Sequence, residues 1–192
     1  THNLLNKKLP CPTNPGPINS SIFTLKFHSY CVVINKTELL EALVAKLHAD
    51  LELITRAARL AHDEATNEES RAESKWDTRG QEAAYLAEGQ AKLAGEIGES
   101  INLLTELDLS PTPAPSPIQV GSVFVLNQPG GEMYGFVAPR SGGTEVEHQG
   151  VVFTIITPTS PIGRAVLGKT QGENITLPAR GKARSYEIIA TY

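Results

Sequence analysis

The sequence predicts an α+β chain built in two parts: an N-terminal long antiparallel α-helical coiled-coil hairpin and a C-terminal compact α+β domain. Three observations carry this. Apolar residues recur in steps of three and four over two long runs between Lys36 and Leu107. A proline-rich segment follows them, and beyond it the pattern changes to short β-rich runs of period two.

In chain order, residues 1–32 are rich in Pro, Asn and Ser, show no sustained period, and are expected to be disordered. The chain opens on Thr1 and helical periodicity starts abruptly after Val33. A native start at Val33, a GTG codon read as valine, accounts for this; a genuine flexible extension is the other reading. N-terminal mass spectrometry separates them, and a mature end near Thr1 excludes the first. Both cysteines, Cys11 and Cys31, lie in this tail, so no disulfide framework is implied and a reducing compartment fits. No apolar stretch of signal-peptide type follows Lys7 and Lys8, and no run approaches the ~20 apolar residues of a membrane span. The expected location is cytoplasmic, with no membrane partner.

Residues 33–109 form the expected hairpin, with its tip near 68–80. Asn35 is placed to N-cap the first helix, with Glu38 completing a capping-box pattern, and that helix runs to about Asn67. Its seam reads Leu40, Leu43, Leu47, Leu51, Ile54, Ala58, Ala61 and Ala65. The second helix runs from about Thr78 to Leu107, capped by Asp77, with the seam Leu86, Gln90, Leu93, Ile97, Ile101 and Leu104. Seams this narrow stay wet on a lone helix, so the two are expected to fold back on each other. At ~1.5 Å rise per residue each arm reaches about 45 Å. Gly89, Gly95 and Gly98 each cost ~1 kcal/mol relative to Ala in a helix and suggest close approach of the partner helix.

The net charge of −4 is unevenly placed: residues 33–110 carry 16 acids against 8 bases, whereas residues 118–192 carry 5 acids and 6 bases. An acidic rod repels a nucleic-acid backbone, which excludes direct DNA binding and favours a protein partner.

Residues 110–117, Ser-Pro-Thr-Pro-Ala-Pro-Ser-Pro, form a stiff extended linker. In the domain 118–192, strands are expected at Val120–Leu126, Glu132–Ala138, Thr144–His148, Val151–Thr157, Asn174–Leu177 and Ser185–Thr191. Gly130-Gly131 and Gly142-Gly143 supply turns, and Ser160 caps one short helix with Pro161 at its first position. Five or six strands, mainly antiparallel, packing one short helix make a compact α+β module.

Gly163 to Thr170 matches the P-loop expression G-x-x-x-x-G-K-[ST] letter for letter, yet its context excludes nucleotide binding. The four intervening residues follow a helix cap, and a strand comes after where the motif needs a long helix. Gly168 is instead expected to end the short helix, with Lys169 in the turn.

The same stretch, Ser160-Pro161-x-Gly163-Arg164-Ala165-x-Leu167-Gly168-Lys169-x-x-Gly172-Glu173 with Tyr186-Glu187-Ile188-Ile189 after it, resembles the C-terminal domain of the GreA/GreB transcription elongation factors. The order of parts agrees, and the resemblance covers everything after the tail. It implies an FKBP-like C-terminal domain and a bacterial RNA polymerase partner. Ser160, Pro161, Arg164, Leu167 and Lys169 then belong to the partner-binding surface. The hairpin enters the polymerase secondary channel, touches the nascent RNA 3′ end indirectly, and promotes cleavage of backtracked transcripts. The chain is then no enzyme itself: it stimulates the polymerase's own hydrolysis, with no cofactor of its own and the Mg²⁺ of the polymerase active site implied. One or two carboxylates on a rigid arm suffice to complete such a two-metal site.

Registered on Ala83-Ala84 and Glu88-Gly89, the tip places Ser74 at the first acidic position of the family and Asp77 at the second. Asp77 and Glu73 are therefore the candidate tip acids. Trp76, the single tryptophan, with Arg71, Lys75 and Arg79, is the candidate contact to polymerase or RNA. The Ser74 departure supports a second reading, a channel-filling regulator or inhibitor without cleavage; a coiled-coil adaptor for another protein is a third. The five histidines lack metal-ligand spacing. An FKBP-like domain also raises prolyl isomerase activity, for which Phe124, Tyr134, Phe136, Phe153, Tyr186 and Tyr192 are the aromatic residues available.

Overall fold

The computed structural model describes residues 22–27, 30–66, 79–109, 116–128, 130–178 and 183–192. They form two units, one of Thr1–Leu43 with Leu107–Tyr192 and the other of Val44–Glu106.

The first unit is α+β. Strands β1 (Ile22–Phe27) and β2 (Tyr30–Asn35) pair antiparallel, with Val33 opposite Thr24 and Phe27 opposite Tyr30. This corrects the expectation of disorder to residue 32. Ile22, Phe23, Leu25 and Phe27, then Tyr30, Val32, Val33 and Ile34, are β-branched or large apolar residues that favour a pleated surface. Their signal was hidden by the Pro- and Asn-rich residues before them. A chain starting at Val33 would lack β1, the partner of β2.

Six further strands form one mixed sheet: β3 (Val123–Gln128), β4 (Gly131–Val137), β5 (Glu145–His148), β6 (Val151–Ile156), β7 (Asn174–Leu177) and β8 (Arg184–Thr191). Their order is β5-β6-β4-β3-β8-β7; β4 and β6 run parallel and every other neighbour pair antiparallel. Gln149 and Gly150, both at positive φ, close the β5–β6 hairpin, which is the geometry that matches strand twist. A bulge between Val125 and Leu126 interrupts the β3–β8 ladder.

One face of this sheet carries Phe124, Leu126, Val137, Ile156 and Ile188, which close a core with Ile118, Ile175 and Val166. Val166 belongs to α3 (Pro161–Val166). The opposite face is buried as well, through Val123, Val125, Phe136, Phe153 and Ile155. Gly135 makes the first face possible: it lies opposite Phe124, and a Cβ there would stand 2.3 Å from the Phe124 ring.

Helix α1 (Lys36–Thr66) starts in this unit. Asn35 Oδ1 accepts from Thr37 N at 2.9 Å, and the Asn35 amide reaches Glu38 at 3.3 Å, a side-chain variant of the expected capping box. Leu39 and Leu43 are fully buried, and Glu38 Oε2 lies 3.6 Å from the buried Nε2 of His148 on β5. The first two turns of α1 thus belong to the unit that holds the sheet, a shift from the boundary at residue 33. Lys36 is only 3% exposed, and burial pushes its ammonium pKa down.

The second unit holds the rest of α1 and helix α2 (Arg79–Thr105). On α1 the interior line is Leu47, Leu51, Ile54, Ala58, Ala61 and Ala65, as expected. On α2 it is Ala83, Ala87, Gln90, Ala94, Ile97, Ile101 and Leu104. Leu86 and Leu93, expected inside, are 55% and 43% exposed. Both Leu93 and Ala94 lie one turn from Ile97, and spacing alone does not separate them. Nor do the glycines mark close approach: a Cβ on Gly89, Gly95 or Gly98 would meet nothing within 4 Å. Alanines of both helices instead line an open groove of about 770 Å³ between Thr55–Thr66 and Ala84–Ala94.

Candidate functional site

Among the described residues, the motif-bearing segment 157–173 is the candidate partner-binding surface. It is built by a tight entry into α3. Ser160 Oγ accepts from Gly163 N at 3.0 Å and donates to Thr157 O at 2.8 Å, so one hydroxyl closes the first turn and ties it back to the end of β6. Pro161 occupies the first helical position, where its missing N–H costs nothing. Gly163 lies directly over the Thr157 carbonyl: a Cβ would stand 2.0 Å from that oxygen. The Ser-Pro-x-Gly run is therefore a single steric unit.

The exit is equally determined. Leu167 N donates to Gly163 O at 3.0 Å, and Gly168 then turns at φ +76° while its N–H donates to Ile118 O at 2.9 Å. Ile118 N returns a bond to Lys169 O at 2.8 Å, so the segment before β3 is laced to the turn after α3. Gly168 is the glycine expected to end the short helix, in the place where the letter-for-letter P-loop match was set aside.

Lys169 and Glu173 close the segment. Lys169 Nζ donates to Glu173 Oε1 at 2.8 Å, while Oε2 accepts from Thr170 N at 2.7 Å and from Thr170 Oγ1 at 3.1 Å. The Lys169 ammonium first, then the Thr170 N–H, hold the Glu173 carboxyl below its ordinary range. With a folded pKa below 4.5, the carboxylate stabilises the fold above that value, and the gain is lost as pH falls through the lower folded pKa. We expect Glu173→Gln to be less stable than wild type at neutral pH, with the gap closing below pH 4.5. Thermal melts at several pH values check this; a gap that does not change with pH contradicts it.

Of the residues assigned to the partner surface, Pro161 and Arg164 are exposed, and Ser160, Leu167 and Lys169 are partly buried. Arg164 alone presents an exposed charge on α3. Ser160, Pro161 and Ile162 also edge a groove of about 610 Å³ with Thr157, Leu177 and Tyr186. Phe124, Phe136 and Phe153 are core residues with no exposure, so among the described residues Tyr186 is the single aromatic in that groove. An aromatic-lined isomerase pocket is not formed by them.

The tip candidates Asp77, Glu73, Trp76, Arg71 and Lys75, together with Ser74, lie outside the described residues; Arg79 opens α2. No group of three His, Cys, Asp or Glu side chains suited to a metal occurs among the described residues, and no helix there is long and apolar enough to cross a membrane. The role of Thr157, whose carbonyl organises the α3 entry, has no sequence signal, because a backbone oxygen leaves none.

No family model matches the chain, and no curated relative does. Solved structures do. The crystal structure of Thermus aquaticus Gfh1 is similar at 20% identity, over 82% of this chain and 94% of that chain, with a TM-score of 0.34. GreA factor homolog 1 (Gfh1) of Thermus thermophilus is similar at 21% identity, over 78% and 94%, with a TM-score of 0.32. A prokaryotic transcription elongation factor GreA/GreB from Nitrosomonas europaea is similar at 19% identity, over 58% and 91%, with a TM-score of 0.31. The chain resembles the GreA/GreB family.

Proposed function

We propose that this protein is an accessory factor of bacterial RNA polymerase that docks through its C-terminal domain and inserts α1 and α2, paired as an antiparallel coiled coil, into the secondary channel. The observation that carries the reading is the placement of residues 67–78: they join two helices of 31 and 27 residues and hold Glu68, Glu69, Glu73 and Asp77. Rigid arms of about 40–45 Å suit the delivery of carboxylates to a distant point. The Ser160–Glu173 segment, folded as a capped turn on an FKBP-like sheet, is the docking element.

In this mechanism Asp77, with Glu73 beside it, supplies hard oxygen ligands to the polymerase metal site. Bound there, the polymerase's Mg²⁺ would supply the activation of water toward the extruded RNA 3′ end, and the polymerase itself would perform the hydrolysis. Trp76 packs against the channel wall or the RNA end, and Arg71, Lys75 and Arg79 pair with phosphate or polymerase carboxylates. No DNA is contacted directly. The serine at position 74 favours a second reading, occupancy of the channel without cleavage.

A halted, backtracked polymerase complex tests the proposal, with wild type, Asp77→Ala and Glu73→Ala. Wild type is expected to shorten the RNA, and Asp77→Ala to slow this by about tenfold or more, the scale of a lost metal-site ligand. Binding without shortening supports the channel-filling regulator. Failure to bind polymerase at all overturns both and leaves the adaptor.

A further inference from the structure

A second cavity opens on the sheet unit, away from α3. It measures about 320 Å³ and is lined by Glu132 and Tyr134 of β4, Val125 of β3, Ala190 and Tyr192 at the end of β8, and Gln171 before β7. Pockets for whole small molecules start at ~300 Å³, so this one has room for a side chain or a small headgroup and not for a nucleotide.

Its walls are held in place. The Tyr134 ring is buried and meets Phe153 edge-on, with centroids 6.0 Å apart and planes at 66°. The Tyr134 hydroxyl donates to the Glu132 carboxylate, which orients that carboxylate at the cavity wall. Tyr192 is pinned by reciprocal backbone bonds with Val123 of 2.9 and 2.8 Å. Gln171 Nε2 donates to Ile189 O at 2.9 Å. Burial, then the Glu132 charge, push the Tyr192 phenol up, so it stays neutral and senses that carboxylate. Among the described residues, no lysine or arginine lines the cavity.

An oriented carboxylate that shares a cavity with two tyrosine rings is a receptor for a planar cation. We propose that this cavity binds the guanidinium group of an arginine side chain carried by a protein partner, its head paired with Glu132 and resting against the rings of Tyr134 and Tyr192. Arginine fits better than lysine because its flat head pairs with a carboxylate and stacks on a ring at once. Glu132 is exposed while Tyr134 is buried, so the ligand enters head first and leaves its other end in solvent. That is the posture of a side chain on another backbone. The inference does not depend on the polymerase reading, and either can fail alone.

Aromatic NMR of the full chain tests it, titrated with N-acetylarginine methylamide, its isosteric citrulline counterpart, and free arginine. Saturable shifts of the Tyr134 and Tyr192 rings are expected with the blocked arginine and not with citrulline. Glu132→Gln, at an exposed position, is expected to weaken binding by about tenfold or more, whereas Tyr192→Phe keeps the ring and most of the affinity. Equal shifts with citrulline, or none with arginine, overturn the site. Tighter binding of free arginine than of the blocked form overturns the protein-borne source and points to a small-molecule ligand.

Discussion

Gly163→Ala is expected to remove most of the stability of the C-terminal module. The new methyl would stand 2.0 Å from the Thr157 carbonyl oxygen and 3.0 Å from Ser160 Oγ, and the first of these is backbone. Relief requires moving the end of β6 away from α3, which breaks the Ser160 bonds to Thr157 O and Gly163 N together. Losses of this kind fall at the upper end of single substitutions, about 3–5 kcal/mol. For a domain of this size that is a drop of about 12 °C or more in melting temperature. Gly168→Ala is the control: its φ of +76° is strained for alanine, but nothing lies within 4 Å, so about 1–2 kcal/mol is expected. Urea unfolding of the three proteins decides. Equal losses for both variants would mean that the close approach to Thr157 costs no more at Gly163, which is helical, than the strained φ costs at Gly168.

The second large effect is at Gly135. A Cβ there would meet three Phe124 ring atoms at 2.3, 2.6 and 2.8 Å, and Phe124 is fully buried among Leu126, Val137, Ile156 and Ile188. The ring has no empty space to swing into, so Gly135→Ala is expected to cost about 1–3 kcal/mol through overpacking. Phe124→Leu alone leaves a cavity and also destabilises. Combined, the two are expected to cost at least ~1 kcal/mol less than the sum of the singles, because the smaller side chain makes room for the methyl. Strict additivity in denaturant unfolding would show that the two sites do not share the contact.

Much of the C-terminal domain was legible in the sequence. Period-two runs and Gly turns placed all six strands of the large sheet within three residues of their observed ends, since alternation and turn chemistry are local properties. The α3 entry and exit were legible for the same reason: Ser160, Pro161 and Gly168 act on backbone groups within a few residues of themselves. The ends of α1 and α2 also followed from local periodicity and a cap. The tip acids were chosen by motif register, and Asp77 and Glu73 stay with the cleavage assay.

Other features depended on partners far apart in the chain. The seam of α2 turned on Ala94 against Leu93, both a turn from Ile97, and the packing selects the alanine face and exposes the leucines. The glycines of α2 looked like close contacts and are not. Strands β1 and β2 escaped notice because pairing stabilises them, whereas the composition of the preceding tail dominated a windowed reading. The reason Gly135 is a glycine lies in a ring on the neighbouring strand β3, and the reason Gly163 is one lies in the backbone oxygen of Thr157, which a sequence pattern does not display. The cavity of Glu132, Tyr134, Gln171 and Tyr192 draws on three separate segments, so no spacing announces it. The sequence by itself determined the three helices and the six strands of the large sheet, because those follow from short-range propensity and pattern. Tertiary packing decided which faces are buried, which glycines are irreplaceable, and where aromatic rings and a carboxylate meet, because these depend on distances between residues that chain order does not encode.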